Sequence, residues 1–198
     1  MSIIIDGMAG AGKSNLVSVL ANKGFQPFYE PVVDNPFLEK FYADRSRYAF
    51  ASQIFFLLNG FKFTKEAGFE PNVVIDRSVF GHAVFARMLK LEGALSPEEY
   101  TTYQELYNTL VEEVPPPQLL VYLDAETDTI MDRIKRRGRE FEINVEREYW
   151  EKLNRECRRY FLEEYFHSPK IVIKTDNLDL INSPDDIFQV VEKIKKML

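Results

Sequence analysis

The sequence predicts a three-layer α/β/α domain on a five-stranded parallel sheet. Short, almost uniformly apolar runs alternate with helix-length amphipathic stretches from one end of the chain to the other. The apolar runs (Ile3, Ile4, Ile5; Val73, Val74, Ile75; Leu119, Leu120, Val121) lack the polar alternation of a half-solvated sheet, so both of their faces should lie under helices. At 198 residues, with no internal repeat, low-complexity tract or linker, the chain reads as one domain over 1–198.

Taken in order, the isoleucine run gives a strand at 2–6, and Leu16, Val17 and Leu20 at helical spacing give a helix at 14–22. A strand at 25–29 leads to Glu30, where Pro31 keeps a helix from starting. Residues 47–66 form a helix whose aromatic stripe (Phe50, Phe55, Phe56, Phe61, Phe63) is expected in the core and at a homodimer contact. The strand at 72–76 precedes a helix at 79–91. "SPEEY" opens a helix at 96–114 with Ser as N-cap and Pro in the first turn, and "VPPPQ" stops it before the strand at 118–123. Helices follow at 127–136 and 145–166, then a strand at 170–174, and "SPDDI" starts the last helix, 184–198.

Composition narrows the function classes. A net charge of -6 argues against a protein that coats nucleic acid, which needs a basic face to displace counterions. The single cysteine, Cys157, excludes a disulfide framework and a cysteine-rich metal site. No apolar stretch is long enough to span a bilayer and the first residues read as a strand, so a cytoplasmic enzyme is expected.

Between the first strand and helix, "GMAGAGKS" fits G-x-x-x-x-G-K-[ST] without a gap. Gly7, Met8, Ala9, Gly10, Ala11 and Gly12 would wrap their backbone N–H groups around a phosphate chain at a helix N-terminus. Lys13 would reach the outer phosphates and the Ser14 hydroxyl would ligate Mg2+. The motif implies a nucleoside triphosphate, with ATP the expected donor, and leaves the acceptor open. In a parallel sheet the ligand lies beyond the carboxyl ends of the strands. Glu30 ends the second strand there, and "DRS" at 76–78 ends the third. By position alone Glu30 is a surface glutamate, and Asp76 with Arg77 a helix cap and ion pair. Beside a phosphate loop they also suit a proton acceptor, a magnesium holder and a phosphoryl-positioning arginine. "MDRIKRRGREFE" at 131–142 reads alone as a basic patch, but Gly138 breaks the helix within it, as in an arginine-rich lid over phosphates at about 133–144.

This ordered set resembles the deoxynucleoside kinase family, in its bacterial and phage deoxyadenosine and deoxyguanosine kinase branch. The resemblance runs over the full chain through the phosphate loop, Glu-Pro at 30–31, "NPFLEKFY" at 35–42, Gln53, "DRS", "RIKRRGREFE" and the closing "TDN…IFQVVEKIKKML". It implies a P-loop nucleoside-kinase fold with an arginine-rich lid and transfer of the γ-phosphate of ATP to the 5′-hydroxyl of a deoxynucleoside in nucleotide salvage. Glu30 is then the general base, with Arg77 and Lys13 as the other catalytic groups and Asp76 the magnesium acid, where many relatives carry Glu. Tyr42 and Glu142 would hold the sugar 3′-hydroxyl, and Arg133, Arg137 and Arg139 the donor phosphates. Leu38 and Gln53 would meet the substrate, the Gln53 amide on the base edge.

Many relatives carry an Arg–Asp base-reading pair where this chain has Gly60 and His82. His82 is by position a helix-surface histidine. As a base reader it would titrate near its ordinary pKa of about 6.5, so that base selectivity would change between about pH 5.5 and 8. Purines are favoured, deoxyadenosine before deoxyguanosine. The alternatives are a pyrimidine or broad-specificity deoxynucleoside kinase, a thymidylate-type monophosphate kinase, and a non-catalytic nucleotide-binding regulator.

Overall fold

The computed structural model describes residues 2–30 and 35–198. Pro31, and with it the expected Glu-Pro stop, lies outside the described residues. The strands are β1 (Ser2–Gly7), β2 (Gln26–Phe28), β3 (Val73–Asp76), β4 (Leu119–Asp124) and β5 (Lys170–Lys174). They form one parallel sheet in the order β2-β3-β1-β4-β5. After the central β1 the chain passes to the edge strand β2 and back to β3 on one side, then crosses to β4 and β5 on the other, which opens a crevice at the carboxyl end of β1. Ile3, Ile4 and Ile5 are fully buried, as the uniformly apolar runs require.

The helices are α1 (Lys13–Ala21), α2 (Leu38–Ala43), α3 (Arg45–Gly68), α4 (Val79–Leu91), α5 (Pro97–Glu112), α6 (Thr127–Arg137), α7 (Glu140–Ile143), α8 (Arg147–Arg159) and α9 (Pro184–Lys195). Ser96 closes a full capping box with Glu99 at the start of α5, as its motif predicts. Two short helices, α2 and α7, were not expected from the periodicity. The first follows from side-chain chemistry: Asn35 Oδ1 accepts the Phe37 N–H at 2.9 Å, and its Nδ2 donates to Ser52 Oγ at 3.2 Å, which ties the turn to α3. The helix expected at 145–166 ends as α8 and then widens into a π-helical turn, Tyr160–Glu164, closed by the Tyr165 N–H on the Tyr160 carbonyl at 2.8 Å.

The aromatic stripe of α3 is the main correction to the expected packing. The face of α3 turned inward carries Ala49, Ser52, Gln53, Leu57, Gly60, Thr64 and Ala67, while Phe50, Phe56, Phe61 and Phe63 are only half-buried around it. Small residues are needed there because α4 comes close. Thr64 Oγ1 donates to the Gly60 carbonyl at 2.6 Å and accepts the Val79 N–H at 3.1 Å, which satisfies an orphan donor at the start of α4. Cys157 is buried against Met8, with the thiol 3.6 Å from the thioether sulfur, and burial pushes its pKa up to about 12, so it is inert packing. Among the described residues no helix is long and apolar enough to cross a membrane.

Candidate active site

A cavity of about 290 Å³ opens at the carboxyl end of β1 and runs from the phosphate loop to α3 and α4. At its mouth Gly7, Gly10 and Gly12 all take positive φ, and Lys13 Nζ donates to the carbonyls of Gly7 and Met8 at 3.1 and 2.9 Å. Burial and the nearby Arg77 hold the Lys13 pKa below its ordinary value. The Ser14 hydroxyl donates to Asp76 Oδ2 at 2.5 Å, and Asp76 Oδ1 is buried without a partner. Two oxygen donors side by side, one of them unsatisfied, fit a hard cation that takes its remaining ligands from phosphate and water. No cluster of three or more His, Cys, Asp or Glu able to cage a metal exists among the described residues.

Arg77 sits at the centre. Its φ of 61° lies in the left-handed region, sparsely used by side-chain-bearing residues, and its backbone N–H donates to the Ile5 carbonyl at 2.9 Å. The surroundings over-determine that conformation. Nε donates to Glu30 Oε2 at 3.1 Å, Nη2 donates to the Gly7 carbonyl at 3.2 Å, and the guanidinium lies 4.9 Å from the centre of the Phe85 ring. Burial alone would lower its pKa, but Glu30 and Asp6 outweigh that and hold it above the ordinary arginine value.

The deeper end of the cavity is polar but uncharged. Gln53 is buried with its Oε1 unpartnered, and His82 faces the Phe56 ring at 5.9 Å between centroids and 20° between planes. This corrects the expectation for His82, which is only 4% exposed. Burial first, and Arg77 second, lower its pKa to about 3, so it stays neutral where a surface histidine would titrate. Gly60 is its counterpart, because a Cβ at residue 60 would overlap the imidazole. The glycine and histidine are one sterically matched unit.

Leu38, Tyr42 and Glu142 line the same cavity, as do Arg137 and Arg139 from the lid. Arg137 Nη2 donates to Glu142 Oε2, and Arg139 Nη1 lies 3.6 Å from Glu142 Oε1. Burial and the Glu142 charge push the Tyr42 pKa up, so its phenol is a donor at any working pH. Arg133 approaches the phosphate loop from behind the cavity wall. It lies outside the cavity, with Nη1 donating to Thr175 Oγ1 at 3.0 Å and to the Gly10 carbonyl at 3.4 Å, and Nη2 to the Thr175 carbonyl at 2.5 Å. It braces the phosphate loop against the segment after β5. Sequence reasoning missed Phe85, Tyr149 and Trp150 on the cavity wall. Phe85 follows His82 by three residues on one helix face, a signal that could have found it. Tyr149 and Trp150 come from α8 and carry no local cue.

A phosphate loop facing a carboxylate–arginine pair, beside a pocket whose far end carries the neutral Gln53 and His82, defines a phosphoryl-transfer enzyme with a small organic acceptor. The comparisons with known proteins place it further. The chain belongs to the deoxynucleoside kinase family, whose model, described as "Deoxynucleoside kinase", it matches over residues 3–198. It is 38% identical to a deoxyguanosine kinase of Lactobacillus johnsonii, over 98% of this chain and 93% of that protein. It is 35% identical to the deoxyadenosine/deoxycytidine kinase of Bacillus subtilis, over 99% of this chain and 92% of that protein. The solved structure of a deoxyadenosine kinase from M. mycoides with bound dATP superposes with a TM-score of 0.88 at 31% identity, covering 98% of this chain and all of that one.

Proposed function

We propose that the cavity takes a deoxynucleoside with its 5′-hydroxyl between Glu30 and Arg77, and that ATP on the phosphate loop is the donor. The observation that carries this reading is the Glu30–Arg77 contact of 3.1 Å at the junction between the loop and the pocket. A carboxylate there accepts a hydroxyl proton but repels an acceptor phosphate, which disfavours a monophosphate kinase. As Glu30 takes the proton, the 5′-oxygen bonds to the γ-phosphorus, the bond to the β–γ bridging oxygen breaks, and ADP leaves with the electron pair. Arg77 and Lys13 stabilise the charge on the transferring group. Ser14 and Asp76 would hold magnesium, which when bound neutralises phosphate charge.

The sugar 3′-hydroxyl falls to Tyr42 and Glu142, and the base to Gln53 and His82. A neutral amide matches the donor–acceptor edge of adenine, whereas the two acceptors of guanine suit a cation, and Arg77, the cation near His82, is engaged by Glu30 and the Gly7 carbonyl. Deoxyadenosine is the first substrate in this reading and deoxyguanosine the second; the relatives include a deoxyguanosine kinase and a deoxyadenosine/deoxycytidine kinase. Arg137 and Arg139 serve the donor phosphates, while Arg133 acts as a brace. Self-association as a homodimer through the apolar flank of α3, where Leu58 is exposed, belongs to the same reading, as does a cytoplasmic site of action.

A coupled assay with ATP, scanning deoxynucleosides against deoxynucleoside monophosphates, tests this. Turnover is expected on deoxynucleosides, highest in kcat/KM for deoxyadenosine. Glu30→Gln should lower kcat by about 10²–10⁴-fold with the KM for ATP nearly unchanged. Near wild-type turnover in that variant would remove Glu30 from the chemistry, and turnover on monophosphates alone would make this a monophosphate kinase.

A further inference from the structure

We infer that Asp6 is a positioning residue for phosphoryl transfer: its buried carboxylate, seated in a recess left open by Gly81, fixes the Arg77 guanidinium between Glu30 and the phosphate loop. The inference rests on the kinase reading of the cavity.

Asp6 is fully buried near the end of the central strand, directly after the isoleucines that fill the core. An ionised carboxylate in such a place is costly unless charges and donors compensate it. An apolar residue would serve the strand better if packing were the only demand. The compensation present is directed at the active site. Oδ1 accepts the Gly7 N–H at 2.8 Å and lies 3.8 Å from Arg77 Nη1. Burial lifts the Asp6 pKa to about 6, with Arg77, then Lys13, pulling it back, so the carboxylate is ionised at neutral pH.

The second oxygen has no hydrogen-bond partner, and it rests against Gly81 in the first turn of α4. A Cβ at residue 81 would overlap Oδ2, so the glycine keeps the carboxylate in its place. Each nitrogen of Arg77 thereby faces a partner: Nε and Nη2 donate hydrogen bonds to Glu30 and the Gly7 carbonyl, and Nη1 forms a longer ion pair with Asp6. Without Asp6 the one ion-paired carboxylate left to the guanidinium among the described residues is Glu30, the group that must be free to receive a proton. Asp6 thus sets both where Arg77 points and how much of its charge falls on the base.

The test is a double-mutant cycle on the full-length enzyme. Asp6→Asn keeps the shape and the acceptor for the Gly7 N–H but removes the charge. It should lower kcat on deoxyadenosine by about 10²-fold, the scale of a 1 Å misplacement, with the KM for ATP nearly unchanged. In an Arg77→Lys background, assayed at high enzyme concentration, Asp6→Asn should cost little more. Gly81→Ala, which crowds the carboxylate and leaves its charge, should lower kcat in the wild type but not in Asp6→Ala, and this arm stands even if Asp6→Asn fails to fold. Equal losses from Asp6→Asn in both Arg77 backgrounds, or a Gly81→Ala enzyme with wild-type kcat, would overturn the inference. A wild-type enzyme with no turnover on any deoxynucleoside would instead overturn the kinase reading.

Discussion

A buried imidazole beside a fixed guanidinium resists protonation, and His82 has both conditions: it is enclosed by α3 and α4 and lies near Arg77. With a pKa of about 3 in the folded enzyme, it offers one donor and one acceptor across the working range. The ratio of kcat/KM for deoxyadenosine to that for deoxycytidine should therefore be flat from about pH 5.5 to 8, where an ordinary histidine near 6.5 would change charge. His82→Ala should shift that ratio several-fold at every pH. A selectivity change that follows a single titration near 6.5 in the wild type alone would show a charged reader instead. The same burial links to stability. Between about 6.5 and 3 the unfolded chain binds a proton that the folded one refuses, so stability is fully present above 6.5 and is lost as pH falls. Relative to His82→Gln, the wild type should lose up to about 1.4 kcal/mol per pH unit below 6.5 in urea unfolding. A difference that stays constant from pH 7.5 to 5 would contradict the assignment.

At the scale of elements, the seam between α3 and α4 sets the geometry of the pocket, and Thr64 is its fastener. Its hydroxyl bridges the Gly60 carbonyl and the Val79 N–H, so Thr64→Val keeps the volume and orphans a buried donor. Urea unfolding should show a loss of about 1–2 kcal/mol, with lower affinity for the base as α4 shifts. An unchanged midpoint would mean water or backbone adjustment replaces the cap. This seam also marks where the sequence stops being legible. The strands and the phosphate loop can be read locally, because uniform apolar runs and glycine spacing report directly on burial and turn geometry. Close helix approach has the opposite signature. It selects Gly60, Ala49 and Ser52, which hydrophobic periodicity ignores, while Phe50 and Phe61 draw attention and sit at the flank. The motif residues Glu30, Tyr42, Gln53, Arg77 and Glu142 do converge on one cavity. Asp6, Tyr149 and Trp150 were not legible because their contacts come from distant strands and helices, and no local pattern encodes them.

Across the whole molecule, the lid and the sugar site share a side chain. Glu142 projects into the cavity near Tyr42, and both lid arginines, Arg137 and Arg139, are paired with it. Tyr42 is itself buttressed by Tyr149 from α8, at 6.4 Å between ring centroids, so the sugar end touches the lid on one side and the helical layer on the other. An arginine that only neutralised donor phosphate would affect kcat alone. Here Arg137 also holds the carboxylate proposed to grip the 3′-hydroxyl, and removing it leaves that buried anion less compensated and free to turn. Arg137→Ala should lower kcat by about 10²–10³-fold through lost charge stabilisation and also raise the KM for deoxyadenosine several-fold. In a Glu142→Gln background the same substitution should still lower kcat but no longer move that KM, because the shared partner is gone. The 2′,3′-dideoxy substrate should behave like the Glu142→Gln enzyme, with its KM insensitive to Arg137. If Arg137→Ala loses kcat with the KM for deoxyadenosine unmoved in the wild-type background, the arginine serves the donor alone, and the lid and sugar site act independently.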